Sequence, residues 1–451
     1  MKKKLTPREY VYVASMLFGM FFGAGNLIFP VYMGQMAGSH LWTASLGFLI
    51  TGVGLPLLGV AALGMSRSCG LFDLSCKAGR PYAMFFTCLL YLTIGPFFAI
   101  PRCATTSFTV GLEQVLPESG SLQVYLLVFS VLFFAAALFF SLRPGKLLTY
   151  VGKILTPFFL LFLGVLVIAA LLAPTAQIAQ VMPQGAYASQ PFFTGFLEGY
   201  NTMDALASLA FGIVVVQVIR DLGVEEPGAI ALGTVRAGVF SCLFMALIYL
   251  FMTIVGAQSR GALEAAENGG VAFAQIAQYY LGRAGLLILA VTVTLACLKT
   301  AVGLIASCAE TFSSLFPKGP GYRVWAVIFS LISLLFANFG LSSIISYSLP
   351  VLMLLYPLAI TLILLSLCGR LFDYDRTVFV WTTALTLLAA LYDFLTALPE
   401  SVFLLLHGDT VREFVTGFLP FASLGLGWIC PALLGFAIGL AIHFTRGKKA
   451  A

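Results

Sequence analysis

Gly23, Gly25 and Asn26 stand together in Phe21–Pro30, FFGAGNLIFP, in the middle of a long apolar run. Backbone that leaves the helical ladder inside a bilayer frees amides and carbonyls that no water can satisfy. Freed amides of Ala24, Gly25 and Asn26 would open a second half-helix, whose positive end attracts a carboxylate. Carbonyls at the end of the first half-helix, around Gly19–Phe22, would attract a cation or an ammonium group. A zwitterionic solute carries both charges at short range. Close helix packing through small residues is the other explanation for this stretch. A second interruption at Glu198–Asp204, EGYNTMD, weighs against it, because paired broken helices in two halves of a chain mark a solute site.

Ionisable groups inside apolar runs are costly and tend to line solute or ion pathways. Glu198 and Asp204 flank the second interruption, and an unwound segment is needed for both to face one cavity. Arg102 follows Pro96 and Pro101 in GPFFAIPR; it reads as an outer gate, as a group sensing a carboxylate, or as an arginine snorkelling to the headgroups. Lys299 and Thr300 sit in mid-run in LACLKTAVGL. A buried lysine can carry a proton or replace a cation. Thr300 offers a hard oxygen that suits sodium, unless its hydroxyl is spent on its own helix carbonyl. Glu310 reads as an interface charge.

The elements that must position these groups are membrane helices. The chain has 451 residues, of which 60% are hydrophobic and 9% charged, and its mean hydropathy is +1.02; continuous apolar runs of this kind specify an all-α polytopic membrane protein and exclude a β-barrel. Twelve spans are expected, at about 10–36, 41–65, 81–112, 122–141, 147–173, 191–219, 229–256, 284–313, 322–338, 340–367, 376–397 and 417–445. The ninth is the shortest, and its boundary with the tenth lies around Asn338–Gly340. The basic N-terminus with Lys2, Lys3 and Lys4 reads as the flank of an uncleaved first span. With the N-terminus inside, nineteen Lys and Arg residues fall on the inner side and three (Arg260, Arg283, Arg412) on the outer, so both termini are expected in the cytoplasm. The net charge of +6 follows this asymmetry and implies the lipid bilayer, not nucleic acid, as partner. An outer segment, Ala257–Arg283, is expected as two short helical pieces split at Gly269–Gly270. It reads as a surface loop or as a lid.

Spans one and six lie five apart and cross in opposite directions. An inverted five-helix repeat is therefore expected within one domain covering 1–451: about 10–173, then about 191–367, with extra helices at about 376–445. Nine scattered cysteines without a CxxC pattern argue against disulfides and structural zinc. HExxH, GxSxG and P-loop patterns are absent, so no enzyme and no cofactor is expected. A helical channel is the reading from another class, but no repeated filter element supports it.

FFGAGNLIFP, GPFFAIPRCATTSF, GFLEGYNTMDALASLAFG and ACLKTAVGL, in this order, together resemble the bacterial branched-chain amino acid:cation symporters (the LIVCS family) over nearly the whole chain. The resemblance implies a leucine-transporter-type (LeuT-type) fold with broken helices one and six in the bacterial inner membrane. It implies uptake of leucine, isoleucine and valine with sodium or, in some relatives, protons, and no obligatory protein partner. A proton-driven transporter or exchanger of another neutral amino acid is the alternative. Carried over by motif, amides at Ala24 and Gly25, beside Asn26, would hold the substrate carboxylate. Backbone at Gly199, Tyr200, Asn201 and Thr202, next to Asp204, would take its ammonium group. Carbonyls of Gly19, Phe22 and Ala296 with the Thr300 hydroxyl would form a sodium site. Arg102, Glu198 and Lys299 would gate or couple; sodium sites of this fold carry a neutral hydroxyl residue where Lys299 stands, so an inward ammonium would displace the ion.

Overall fold

A computed structural model describes residues 5–23, 25–66, 68, 70–116, 121–142, 146–224, 226–398, 403 and 419–450. The described residues are helical and contain no strand. In chain order the α-helices are α1 (Pro7–Phe21), α2 (Gly25–Ala37), α3 (Leu41–Leu49), α4 (Leu55–Met65), α5 (Leu71–Cys76), α6 (Arg80–Leu92), α7 (Ala99–Ser107), α8 (Leu122–Leu142), α9 (Lys146–Leu172), α10 (Pro191–Glu198), α11 (Asp204–Asp221), α12 (Pro227–Ser259), α13 (Gly269–Leu315), α14 (Tyr322–Ala337), α15 (Leu341–Cys368), α16 (Arg376–Thr396) and α17 (Ile429–Ala450). Among them, seven stretches are long and apolar enough to cross a membrane, at 25–65, 80–112, 122–142, 232–259, 269–315, 341–372 and 376–396. Shorter apolar helices lie at 158–172, 322–337 and 429–445.

The expected spans one and six are both divided, into α1 with α2 and α10 with α11. Span two is continuous but carries a π-turn at Ile50–Gly54 between α3 and α4. Span three contains a further interruption. A π-turn at Thr93–Phe97 holds Gly95 at non-helical angles (φ −98°, ψ −124°), where Pro96 withholds an amide from the ladder.

Two boundaries differ from expectation, and the one between spans nine and ten falls within the expected Asn338–Gly340. Span twelve starts at Ile429 rather than near 417, because Phe421 and Gly425 adopt left-handed angles around a short 3-10 turn. Gly269–Gly270 opens a helix instead of splitting one: the Asn268 side chain accepts from the Gly270 and Val271 amides, and 260–268 is turn and extended chain. Gly340, at φ +84°, separates α14 from α15. Among the basic residues used for orientation, Lys2, Lys3, Lys4, Arg67, Arg143 and Arg412 lie outside the described residues, as does Cys69.

The half-spans pack as an exchanging set. α2 packs along α12 and α11 along α4, while α1 packs on α12 and α10 on α3. Contact is close enough to require glycine: a Cβ at Gly34 would stand 2.0 Å from the Thr253 carbonyl oxygen of α12, and one at Gly195 would stand 2.0 Å from that of Ala44 in α3. Backbones at such range gain dispersion contact where the lipid supplies no hydrophobic drive.

Candidate functional site

Between α1 and α2 the chain leaves the helix at Phe22 and Gly23, and Ala24 lies outside the described residues. Phe22 ends α1 in extended conformation (ψ 96°), its amide donating to Phe18 O at 2.8 Å. The Gly23 amide donates to Asn26 Oδ1 at 2.9 Å. Asn26 thereby satisfies one of the amides that the break frees. Gly25 opens α2 and is buried. A Cβ built on it would lie 3.1 Å from the Phe29 ring and 3.7 Å from the Asn201 carbonyl oxygen, so the two breaks face each other.

Between α10 and α11 the helix tightens into a 3-10 turn, Gly199–Thr202, and then passes through Met203 at φ +60°. A bulky residue in this region costs roughly 1–2 kcal/mol, and such strain persists where surroundings over-determine it. The surroundings are visible. Thr51, placed by the π-turn of span two, donates to Phe196 O at 2.7 Å, and a Cβ at Gly199 would stand 1.9 Å from the same hydroxyl. Tyr200 stacks on Tyr356 of α15, with ring centres 3.9 Å apart.

The two breaks are tied through one carboxylate. Asp204 Oδ2 accepts from Asn26 Nδ2 at 2.6 Å and from the Tyr249 hydroxyl of α12 at 3.1 Å. Asn26 Nδ2 also donates to the Tyr249 oxygen. Three groups from three elements thus close a buried triangle, and Asp204 stabilises both breaks at once. Glu198 has different neighbours: it lies near the Asn201 side chain and the Arg102 guanidinium. The turn between Glu198 and Asp204 gives the two side chains different neighbours.

Arg102 is 3% exposed, which overturns the snorkelling alternative. Its Nη1 donates to Asn201 O at 2.5 Å and its Nη2 to Ser348 Oγ at 3.1 Å. Its guanidinium carbon lies 5.1 Å from the centre of the Phe29 ring. The arginine therefore holds a carbonyl in the stretch expected to receive the ammonium group. The Gly199 and Tyr200 carbonyls are also engaged, by the Thr202 hydroxyl at 2.9 Å and the Met203 amide at 3.0 Å.

On α13, Thr300 donates to Ala296 O at 3.1 Å, the local back-bond weighed from the sequence; its two oxygen lone pairs stay free to meet a cation. Its methyl group lies 3.8 Å from a Cβ built on Gly23, and Lys299 Nζ lies 4.0 Å from one built on Gly19. The half-buried ammonium thus lies against α1 at Gly19. Phe22 adds a ring stacked on Phe18 at 4.8 Å.

Tyr249, Ser348 and Tyr356 belong to this site, and nothing in their local sequence singles them out. Gly95–Pro96 was readable as a breaker pair. Asp393 was readable as a charge within span eleven, by the rule that found the other four.

A family model described as branched-chain amino acid transport protein matches residues 6–446. The chain is 54% identical to the branched-chain amino acid permease BrnQ of Lactobacillus delbrueckii subsp. lactis over 455 aligned positions, covering 100% of both chains. It is 43% identical over 433 positions to the branched-chain amino acid transport system 2 carrier protein of Pseudomonas aeruginosa, covering 96% of this chain and 95% of that one. Among solved structures it resembles the inward-facing conformation of Mhp1 (TM-score 0.64, 16% identity, 98% of this chain and 91% of that one). It also resembles MhsT in complex with L-phenylalanine (TM-score 0.56, 17% identity, 99% of each chain). At these identities the likeness shows a shared leucine-transporter-type fold and nothing finer. By model and by relatives, the chain belongs to the branched-chain amino acid transport proteins, a family of transporters and not of enzymes.

Proposed function

We propose that the protein takes up leucine, isoleucine and valine across the bacterial inner membrane by secondary active transport, coupled to sodium or proton entry. The observation that carries the site is the facing pair of breaks joined through Asn26, Asp204 and Tyr249. The substrate carboxylate meets the amides that open α2, at Ala24 and Gly25 beside Asn26. Its ammonium group meets backbone at Gly199–Thr202, for which Arg102 must release the Asn201 carbonyl. Arg102 is then a gate that competes with substrate, and Glu198, its electrostatic neighbour, is the group positioned to receive it.

Alternating access around this site needs two halves that move against each other. Exchanging span one with six and span two with seven converts the α2–α12 contact into α11–α4, and α1–α12 into α10–α3. That correspondence supports an inverted five-plus-five repeat within twelve spans, with both termini cytoplasmic.

A second reading of the coupling ion has its own support. Lys299 Nζ beside Gly19 puts a fixed positive charge where Gly19, Phe22, Ala296 and Thr300 would hold sodium, and this favours protons. Uptake of radiolabelled leucine into liposomes containing the purified protein, with sodium and proton gradients imposed separately, tests both readings. Saturable accumulation driven by at least one gradient is expected. Absence of gradient-driven accumulation of any aliphatic amino acid would refute the transport reading, and conductance without saturable uptake would indicate a channel.

A further inference from the structure

Span eleven carries a carboxylate that the site above does not use. Asp393, on α16, is 1% exposed, and neither of its oxygens has a hydrogen-bond partner among the described residues. Two further buried polar groups without partners stand close by. Among the described residues these are the Tyr200 hydroxyl, from the span-six break, and the Trp428 indole N–H, just before α17; Tyr200 lies within the electrostatic reach of Asp393 and beside Trp428. Gly427 keeps the space open, since a Cβ there would stand 3.4 Å from Asp393 Oδ1. Gly425, at φ +68°, is pressed between spans six and ten, where a Cβ would meet Met353 at 2.6 Å and Leu197 at 3.2 Å. The turn before α17 is thus wedged against spans six and ten.

A bare buried carboxylate is among the most expensive groups a protein can hold, and an orphan of this kind calls for an unseen ion, proton or water. Here two unpartnered carboxylate oxygens stand within electrostatic reach of a phenol oxygen, with the Trp428 indole beside that phenol. No cluster of three His, Cys, Asp or Glu groups exists among the described residues, so a divalent ion lacks its ligands. We propose that Asp393, with the Tyr200 hydroxyl, binds a monovalent cation, either a proton or sodium, behind the span-six break, and that its occupancy is linked to the state of that break. The linkage rests on the transport reading above; the site does not.

Tyr200 is the titratable group that faces Asp393 from span six, with Tyr356 of α15 stacked behind it. From α17, His443 is paired with Asp375 at 2.7 Å, eighteen positions before Asp393 and about 27 Å away along α16. It therefore leaves the site to Asp393.

The test uses the full chain in detergent, without substrate, after Trp42, Trp325 and Trp381 are each replaced by Phe so that Trp428 is the reporter. Sodium is titrated at fixed pH and read by Trp428 emission. Protons are titrated without sodium and read by the infrared band of a protonated carboxylic acid. At least one response is expected, and it identifies the cation; Asp393→Asn should abolish it, and Asp393→Ser serves if that variant does not insert. No response to either ion, or responses that survive both substitutions, would overturn the site. Leucine should then shift the titration midpoint by roughly fivefold or more. Leucine that binds without shifting it would overturn the linkage, whereas failure of leucine to bind would refute the transport reading and leave the cation titration standing.

Discussion

Between α1 and α2 the chain leaves the helix over Phe22 and Gly23, whereas between α10 and α11 it does so through Met203, a bulky residue at φ +60°. The first break is satisfied largely from within: Asn26 returns its own side-chain oxygen to the Gly23 amide. The second is held from outside, by Thr51 of span two, Arg102 of span three, Tyr249 of α12 and Tyr356 of α15. Glycine makes an interruption cheap and local. An interruption built from ordinary residues needs neighbours to impose it, and those neighbours can withdraw. On the proposed transport reading, the span-six break is the switchable half of the site and the span-one break its fixed reference.

This contrast can be broken by experiment. Arg102→Leu should have the largest effect. It leaves the Asn201 carbonyl buried without its donor, which costs about 1–3 kcal/mol, and it removes the gate. Uptake should fall to background, with a lower unfolding midpoint in detergent; normal uptake would mean that Arg102 is packing alone. Asn26→Leu comes next. It removes the partner of the Gly23 amide and one donor to Asp204, so a comparable loss of about 1–3 kcal/mol is expected in denaturant unfolding. The loss should be much smaller in an Asp204→Asn background, and simple additivity of the two changes would show that the breaks are not coupled. The smallest effect concerns Met203. Met203→Ile should be less stable than Met203→Leu by about 1 kcal/mol, because a β-branched residue tolerates the left-handed region poorly. Equal stability would mean that the turn relaxes without cost.

Much of this was legible in the sequence, for physical reasons that differ by region. Apolar runs declare membrane helices because each must satisfy its own backbone in lipid. The span-one break was legible because glycine and asparagine announce it locally. The span-six break was legible as a charged and polar interval, but its form, a 3-10 turn closed by a strained methionine, was not, since tertiary contacts impose it. Arg102 was legible as costly, while its partners Asn201 and Ser348 lie 99 and 246 positions away. Tyr249 and Tyr356 look like ordinary core aromatics until the fold brings them to Asp204 and Tyr200. The late start of the last helix follows from the left-handed turn at Phe421 and Gly425, with Gly425 pressed on Met353 and Leu197, which no periodicity encodes.

The central claim is that the facing breaks form one amino acid site, and Gly25 is the position where they approach. A leucine side chain there would collide with the Phe29 ring and enter the space before the Asn201 carbonyl. Equilibrium binding of labelled leucine to purified wild-type protein and to Gly25→Leu tests the claim directly. The account predicts saturable binding to the wild type and none to a variant that still inserts and elutes as a folded protein. Undiminished binding to Gly25→Leu would contradict it.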